Sequence, residues 1–373
     1  MFPHATDSMT GLLRKYHANF YYVALGERTY ECSLKGVLKK ALTAEEDSLY
    51  AGDLVDVDTV DPETGTARIV AVHPRRTVIH RPKIANVDQA VIVFPLRQPA
   101  FDAHAVNVLI MHVMLAGLQP VLCISKSDLA GQDAGTVDPA AIERLYHQQL
   151  GIPVVFTSIF DAQSLLPLKT QLAGRLSVLA GPSGAGKSSL LNQLDPSLSL
   201  KVGEVSARIA RGQHTTRHVE LLTMPALGPD TWVADTPGFS NLTLDDATPA
   251  AIEAAMPDFV PWRASCAFSD CLHLPETPDC AVRAHIGDLD PQRYTSYLAM
   301  LTEARTADEK RKAQSSKTAQ GTKTRHGKGR EEISILRLSG RQRAASRRTQ
   351  RQATRNLADS NQTDDDPPET ADP

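Results

Sequence analysis

The stretch LSVLAGPSGAGKSSLLNQL, from Leu176 to Leu194, decides the fold of this chain. It contains the pattern G-x-x-x-x-G-K-[ST] between an apolar run typical of a buried strand and a run typical of a helix. Glycines let backbone N–H groups turn inward towards phosphate oxygens, and the helix N-terminus adds a favourable dipole. The pattern therefore predicts a phosphate-binding loop formed by Gly181, Pro182, Ser183, Gly184, Ala185, Gly186, Lys187, Ser188 and Ser189.

Two residues of this loop have individual predicted roles. Lys187 is expected to reach the terminal phosphates of a nucleotide, and Ser188 to bind Mg²⁺ through its hydroxyl group. An ordinary glycine-rich turn is the alternative, but it would not require the flanking strand and helix. The loop by itself does not choose between ATP and GTP.

From residue 86 the chain alternates between strand-like and helical segments. The runs VDQAVIVFPL, LQPVLCIS and IPVVFTS have the composition of buried strands, and helical segments separate them. This alternation predicts a mostly parallel sheet with helices on both faces. Because the series leads directly into the phosphate-binding loop, we expect one α/β domain that includes strands on both sides of that loop.

The sequence SKSD lies directly after the second of these strands, where a guanine-recognition motif N-K-x-D would lie. A carboxylate there can accept hydrogen bonds from N1–H and N2–H₂ of guanine, a donor pair that adenine lacks, and we assign this role to Asp128. The stem of Lys126 is expected to pack along the base. Taken alone, the tetrapeptide is also compatible with an ordinary turn. The predicted guanine pocket comprises Ser125, Lys126, Ser127, Asp128, Thr157 and Ser158.

The segment TWVADTPG ends a further strand in the pattern D-x-x-G. In such a loop Asp235 would orient Mg²⁺ through water, and the Gly238 N–H group would sense the γ-phosphate. Thr215 and Thr216 of the upstream segment ARGQHTTR are candidates for a switch that closes on Mg²⁺. Together with the guanine motif, these features favour a GTPase over an ATPase or a small-molecule kinase.

The order of these motifs is unusual, because the guanine motif precedes the phosphate-binding loop. Ordinary GTPases have the loop first and the guanine motif last. Chain termini often lie close together at a protein surface, so a fold tolerates being opened at one loop and rejoined at another. We therefore predict a circularly permuted GTPase domain.

Short β-like runs also fill residues 11 to 75, separated by turns that contain Gly, Asp or Pro. Several short strands within so few residues predict a small barrel, with the OB type as the leading candidate. Barrels of this type commonly bind single-stranded or structured RNA. A purely structural barrel is the alternative.

The segment CAFSDCLHLPETPDC contains four possible metal ligands at positions 266, 271, 273 and 280. Three thiolates and one imidazole are a suitable tetrahedral set for Zn²⁺, and a site closed by four protein ligands is structural rather than catalytic. Three reduced thiols beside an incidental histidine are the alternative. The predicted zinc ligands are Cys266, Cys271, His273 and Cys280.

The C-terminal region separates its charges strongly, although the net charge of the chain is only −3. Residues 305–355 contain sixteen Lys or Arg against four Asp or Glu, whereas residues 359–372 contain six acidic residues and no basic one. Because large apolar residues are rare there, we expect a disordered tail. Contact with nucleic-acid phosphates and a merely solubilising role are both compatible with this composition.

No apolar run is long enough to span a bilayer, and the N-terminus lacks the pattern of a signal peptide. The expected location is therefore the cytoplasm, and we expect no membrane partner.

Together, these motifs resemble the RsgA/YjeQ family of circularly permuted, ribosome-associated GTPases. The resemblance covers about residues 11–304 and includes RPKIANVDQ, SKSD, GPSGAGKSS, RGQHTTR, DTPGF and the cysteine cluster. It implies an α/β P-loop GTPase domain (77–247) between an N-terminal OB-type barrel (1–76) and a largely helical zinc-binding domain (248–304), followed by the tail (305–373). It further implies that a monomer binds GTP or GDP with Mg²⁺, binds the small ribosomal subunit and its rRNA, and assists its late maturation by subunit-stimulated GTP hydrolysis.

Two residues depart from common GTPase patterns. Ser125 stands where members of the family often have Asn, which normally braces the guanine pocket. Phe239 stands where many GTPases have the Gln that orients the attacking water, so this role needs another group. His214 beside the switch threonines is the candidate, as the resemblance also implies; RNA contact or packing is its alternative role.

Two other functions remain compatible with the sequence. The chain could be an RNA-binding assembly factor with little or no GTP turnover, which Phe239 and Ser125 would favour. It could also be an enzyme that uses ATP on a small molecule.

Overall fold

A computed structural model of the chain describes residues 8–17, 20–41, 48–80, 82–131, 137–200, 219–235, 244, 247–320, 322–326 and 332–336. The chain divides into two compact units, Met1–Arg305 and Thr306–Pro373. Within the described residues, no helix combines the length and the apolar composition needed to cross a bilayer.

Five strands near the N-terminus close into a barrel in the order β1-β2-β3-β5-β4. All neighbouring strands pair antiparallel except β3 and β5, which pair parallel. Alternate side chains point inward, so that Leu13, Val23 and Val57 are buried in the barrel core. This confirms the predicted barrel, whose elements are β1 Met9–His17, β2 Phe20–Leu25, β3 Arg28–Leu34, helix α1 Gly36–Ala41, β4 Leu54–Asp61 and β5 Thr66–Val72.

A short hairpin connects the barrel to the central sheet; it consists of β6 Val78–His80 and β7 Lys83–Ala85. The barrel also contacts the far edge of that sheet, where Arg14 of β1 donates to the Leu221 carbonyl and Lys15 pairs with Glu220 at 2.9 Å. The barrel is therefore fixed to the sheet at two separate places.

The central sheet has six strands in the order β10-β9-β8-β11-β13-β12. All neighbours pair parallel except β12, which runs antiparallel to β13 at one edge. Residues of β8 alternate between two hydrophobic clusters: Ile92 faces one and Val93 the other, so helices cover both faces as predicted. The strands are β8 Gln89–Pro95, β9 Gln119–Ser125, β10 Val154–Phe156, β11 Leu176–Ala180, β12 Glu220–Thr223 and β13 Trp232–Asp235.

Helices and turns connect these strands. Helix α2 begins at the N-cap Asp102, whose side chain accepts a hydrogen bond from the Ala105 amide. The helices are α2 Ala103–Leu115, α3 Pro139–Ile142 continuing as a π-helix Glu143–Gln149, α4 Leu166–Leu172 and α5 Lys187–Leu194; the 3₁₀ turns are Ser127–Leu129, Ala162–Leu165, Pro196–Leu198 and Pro225–Leu227.

The strand order explains the unusual order of the motifs. Strand β11, which leads into the phosphate-binding loop, lies in the interior of the sheet between β8 and β13. Strand β8 and its neighbour β9 come earlier in the chain, yet they occupy positions beside β11 that make the sheet continuous. The chain therefore enters the sheet at the strands that carry the predicted guanine motif, in agreement with the predicted permutation.

A helical region with its own core follows the sheet. Phe259 and Tyr297 are fully buried there, with ring centroids 4.8 Å apart in an edge-to-face arrangement. Its elements are α6 Pro249–Ala254, the 3₁₀ turns Pro257–Phe259, Arg263–Ser265 and Ile286–Asp288, α7 Ala281–Ala284 and α8 Pro291–Gln320.

A buried polar network joins this helical region to α2. The Arg293 guanidinium donates to the Asp258 carboxylate, at 3.1 Å from Nε to Oδ1, and to Asn107 Oδ1 at 3.0 Å. Tyr146 donates to the same Asn107 oxygen, and the Asn107 amide donates to Ser296 at 3.0 Å. All five side chains are buried. Since an unpaired buried charge is costly, the network favours a single docking of the helical region.

The C-terminal region differs from the expectation of a disordered tail that begins at residue 305. Helix α8 continues to Gln320, and β14 Thr322–His326 pairs antiparallel with β15 Glu332–Leu336. Residues 337–373 lie outside the described part of the chain. The predicted domain boundaries at residues 76, 247 and 304 stay a prediction.

The Arg293 network leads to a stability prediction. Arg293→Ala removes the cation but leaves the Asp258 carboxylate buried, so we expect unfolding to become easier by about 3–5 kcal/mol. The control is Arg76→Ala, which breaks the pair of the exposed Arg76 with the partly exposed Asp88 and should cost less than about 1 kcal/mol. Urea denaturation with zinc present, followed by tryptophan fluorescence and circular dichroism, measures both. Equal small losses would contradict the prediction.

Candidate nucleotide and metal sites

The phosphate-binding loop needs glycine at two positions for different reasons. A Cβ atom on Gly181 would lie 2.0 Å from the Val93 carbonyl oxygen, so no other residue lets the loop approach β8 this closely. Gly186 has a φ of 88° and is the N-cap of α5, a left-handed conformation that side chains disfavour. The loop therefore follows the carboxyl end of β11 and opens directly into a helix N-terminus.

Lys187 lies in the first turn of α5 and is 9% exposed. Its Nζ atom donates to the carbonyl oxygens of Gly181 at 2.7 Å and Pro182 at 2.8 Å. Burial lowers the pKa of this ammonium group to about 8. The lysine is thus held against the loop. Burial disfavours its unpaired positive charge, and the negative charge of a bound phosphate would offset that cost.

Ser125, at the end of β9, connects the predicted guanine motif to the phosphate-binding loop. Its hydroxyl group is buried and lies 2.7 Å from the Ala185 carbonyl oxygen, to which it donates. The Phe94 carbonyl lies farther away, at 3.4 Å. The serine hydroxyl therefore makes a direct brace between the two halves of the site, although it is shorter than an asparagine amide.

Asp128 and Ser158 come from loops after neighbouring strands and meet. Ser158 Oγ donates to Asp128 Oδ1 at 2.6 Å, and the Ser127 amide donates to the Thr157 carbonyl at 3.1 Å. Lys126 has a left-handed φ of 57°, and its ammonium group donates to the Gln98 carbonyl of the loop after β8. The structure thus brings together the six residues of the predicted guanine pocket.

Other predicted residues are located only in part. Strand β13 ends at Asp235 and pairs parallel with β11, so the start of the D-x-x-G segment and the phosphate-binding loop lie at the same edge of the sheet. This edge is where open α/β sheets bind ligands. The side chain of Asp235 and the residues His214, Thr215, Thr216, Gly238 and Phe239 lie outside the described part of the chain.

The four predicted metal ligands form one cluster, whose ligand atoms all lie within 4.8 Å of one another. The Cys266 and Cys280 sulfurs are 3.9 Å apart, and His273 Nδ1 lies 3.7 and 3.4 Å from them. Sulfurs bound to one tetrahedral Zn²⁺ would be about 3.8 Å apart, whereas a disulfide needs about 2 Å. The cluster can therefore hold a metal ion.

Electrostatics also favour a cation at this cluster. Burial, together with the neighbouring Cys280 thiol, raises the pKa of the Cys271 thiol to about 11. Three thiolates would repel each other at this distance. A divalent cation binds cysteines in the thiolate form, and its positive charge offsets that repulsion.

Sequence reasoning missed two groups at these sites. Glu253 Oε1 lies 3.0 Å from His273 Nε2, and the Gln98 carbonyl accepts the Lys126 hydrogen bond. Glu253 lies twenty residues before the histidine in a separate helix, and Gln98 contributes only its backbone. No motif could have indicated either group.

Comparison with known proteins gives consistent matches. A model of the family described as RsgA GTPase matches residues 72–245. The chain is 40% identical over 301 residues to the small ribosomal subunit biogenesis GTPase RsgA of Alkaliphilus metalliredigens (strain QYMF), covering 79% of this chain and 97% of that protein. The protein of the same name from Moorella thermoacetica (strain ATCC 39073 / JCM 9320) is 40% identical over 297 residues, with the same coverage of both chains.

Two solved structures are also similar. The crystal structure of YjeQ from Thermotoga maritima has a TM-score of 0.65 and 29% identity, and covers 80% of this chain and 98% of that one. The structure of YloQ, described as a circularly permuted GTPase, has the same TM-score and identity and covers 82% and 98% of the two chains. Both matches support the architecture given above.

The Ser125 brace leads to a binding prediction. Ser125→Ala removes one buried hydrogen bond to the phosphate-binding loop, so we expect the Kd values of GDP and GTP to rise alike by about fivefold, equivalent to about 1 kcal/mol. Ser199→Ala, which alters an exposed serine in the turn after α5, is the matched control. Fluorescent-nucleotide titration measures both variants. An unchanged Kd in Ser125→Ala would show that the brace is dispensable.

The buried position of Lys187 leads to a pH prediction. Phosphate stabilises the charged ammonium, which the free protein loses as the pH rises through the pKa of about 8. GTP affinity should therefore fall between pH 7 and pH 9, by up to about tenfold per pH unit above that pKa. The control is Lys187→Arg, whose guanidinium stays charged throughout this range. Parallel pH profiles for the two proteins, measured by calorimetry, would refute the prediction.

Proposed function

The chain belongs to the RsgA family of GTPases. We propose that it hydrolyses GTP to GDP and phosphate and thereby assists the assembly of the small ribosomal subunit. The observation that carries this proposal is the 2.7 Å hydrogen bond from Ser125 to Ala185, which joins the base-recognition loop to the phosphate-binding loop. Two loops held at one sheet edge suit a single bound guanosine triphosphate better than two separate sites.

In the proposed binding mode, Asp128 accepts hydrogen bonds from the guanine N1–H and N2–H₂ groups. Ser158 already holds this carboxylate at 2.6 Å and so fixes its orientation before the base arrives. Residues 181–189 surround the phosphates with backbone N–H groups, and Lys187 supplies positive charge. When bound, Mg²⁺ would neutralise phosphate charge; Ser188, Thr215 and Thr216 are its proposed ligands, and Asp235 would orient it through water.

Hydrolysis needs a water molecule aligned with the γ-phosphate. Phe239 follows the D-x-x-G segment and has no hydrogen-bonding group, so we assign the orienting role to His214. Gly238 is proposed to sense the γ-phosphate through its N–H group. An active site that depends on a switch residue for its water is slow until a partner orders that switch, which is why the small subunit is expected to stimulate turnover.

The metal at the cysteine cluster is proposed to be Zn²⁺ in a structural role. Three sulfurs and one imidazole nitrogen are its preferred donors, and all four coordination positions are taken by the protein. Cys266, Cys271, His273 and Cys280 would therefore hold the fold of the helical region rather than take part in hydrolysis.

The proposed partner is the small ribosomal subunit together with its rRNA. The OB-type barrel (1–76) and the helical zinc region (248–304) flank the GTPase domain (77–247) and are the proposed RNA contacts. Both GTPase relatives named above carry the small ribosomal subunit in their names. We further propose that the protein acts as a monomer in the cytoplasm, and that the charged tail (305–373) assists RNA contact.

Phosphate release with and without small ribosomal subunits tests this function. We expect slow release alone and a large increase with subunits. Absence of turnover in both conditions would favour instead an RNA-binding assembly factor with little GTP hydrolysis. Competition of GTP against ATP for binding tests the nucleotide; a preference for ATP would favour an enzyme acting on a small molecule.

The proposed role of His214 leads to a kinetic prediction. His214→Ala should lower the subunit-stimulated kcat by about 10²-fold or more, the usual effect of losing a group that handles the attacking water. The Kd of a GTP analogue should stay unchanged, because the imidazole acts on the water and not on the nucleotide. The control is His147→Ala, which alters an exposed histidine. A change in Kd at constant kcat would instead assign His214 to nucleotide binding.

A further inference from the structure

Glu253 and His273 form a contact that the four-ligand metal set does not include. Glu253 is in helix α6, and its Oε1 atom lies 3.0 Å from His273 Nε2. The histidine side chain is 1% exposed and the glutamate side chain 17% exposed, so little water competes for this contact. The pair is therefore a shielded hydrogen bond rather than a surface ion pair.

The two ring nitrogens of His273 have different neighbours. Nδ1 faces the sulfurs of Cys280 and Cys266 at 3.4 and 3.7 Å, whereas Nε2 faces the carboxylate. A carboxylate can only accept, so Nε2 carries a proton, and in the neutral imidazole Nδ1 then keeps its lone pair. A nitrogen and a sulfur bound to one tetrahedral Zn²⁺ would be about 3.5 Å apart, which agrees with both Nδ1 distances.

Other contacts hold the histidine ring and backbone in this orientation. The Phe259 ring packs edge-to-face on the imidazole, with centroids 4.8 Å apart, and the Tyr294 hydroxyl donates to the His273 carbonyl at 2.7 Å. Neither contact distinguishes the two ring nitrogens chemically. Among the described contacts of this ring, Glu253 is the one that holds the Nε2 side, and it leaves Nδ1 facing the sulfurs.

We propose that Glu253 is the positioning residue of the metal centre: it fixes the His273 tautomer so that Nδ1 completes a Cys₃His zinc site. This inference rests on the proposed zinc at that cluster. Carboxylates in this outer position commonly orient a metal-bound imidazole and raise its basicity. Because Glu253 belongs to α6, the same hydrogen bond also ties that helix to the cysteine loop.

Zinc competition on the full-length holoprotein tests the proposal. Glu253→Ala and Glu253→Met both remove the acceptor, and Met keeps most of the side-chain volume. We expect each to raise the zinc Kd by about 10- to 100-fold, measured by titration with a competing chelator. Glu253→Gln keeps an amide oxygen that accepts the same hydrogen bond, so it should restore most of the affinity. The matched control is Glu276→Gln, which alters an exposed glutamate between His273 and Cys280.

The outcomes separate this proposal from the zinc assignment itself. Wild-type protein with no stoichiometric zinc would overturn the zinc assignment, and the positioning role with it. Full zinc content with Glu253→Ala and Glu253→Met within twofold of the control would overturn only the positioning role. If Glu253→Ala does not fold, Glu253→Met decides between these results.

Nuclear magnetic resonance of the histidine nitrogens gives a second measurement that packing alone would not change. In zinc-loaded wild-type protein, His273 should show a proton on Nε2 and none on Nδ1. In Glu253→Met, the Nε2 proton should exchange faster with water. A metal-bound Nε2 in the wild type would overturn the proposal.

Discussion

The parallel pairing of β9, β8 and β11 is the constraint on which the nucleotide site depends. The carboxyl ends of parallel strands lie at one edge of a sheet, so the loops that follow these strands lie next to each other there. The hydrogen bond from Ser125 to Ala185 then joins the predicted base-recognition loop to the phosphate-binding loop. Since pairing depends on which strands are neighbours and not on which comes first in the chain, the permuted order preserves the site.

A buried polar network fixes the position of the helical region against the central sheet domain. Arg293, Asp258 and Asn107 form a buried network between α8, the turn Pro257–Phe259 and α2. Helix α2 begins shortly after the loop whose Gln98 carbonyl accepts the Lys126 ammonium. The helical region is thus docked against α2, in the part of the chain that carries the predicted guanine motif, by contacts whose loss would leave charge buried. The barrel docks separately, through Arg14 and Lys15 of β1, which contact Leu221 and Glu220 of strand β12.

Most of the fold follows from local patterns. The alternation of strands and helices predicted the parallel sheet, and short β runs predicted the barrel, because side-chain periodicity reports which face is buried. The guanine motif was visible as four residues after a strand. The extension of α8 to Gln320 was not predicted, because a sequence poor in large apolar residues gives no periodic signal.

The sequence by itself determined the chemistry of the sites: a glycine loop with Lys187, a carboxylate at Asp128, and three cysteines with His273. Each of these is a residue type at a short spacing, which local backbone geometry converts into a defined arrangement. Only the tertiary structure decided that the Ser125 hydroxyl bonds to the Ala185 carbonyl, and that Glu253 faces Nε2 of His273. Both are contacts between separate segments of the chain. The packing of whole helices and strands sets the distance between the contacting atoms, and no local sequence pattern encodes that packing.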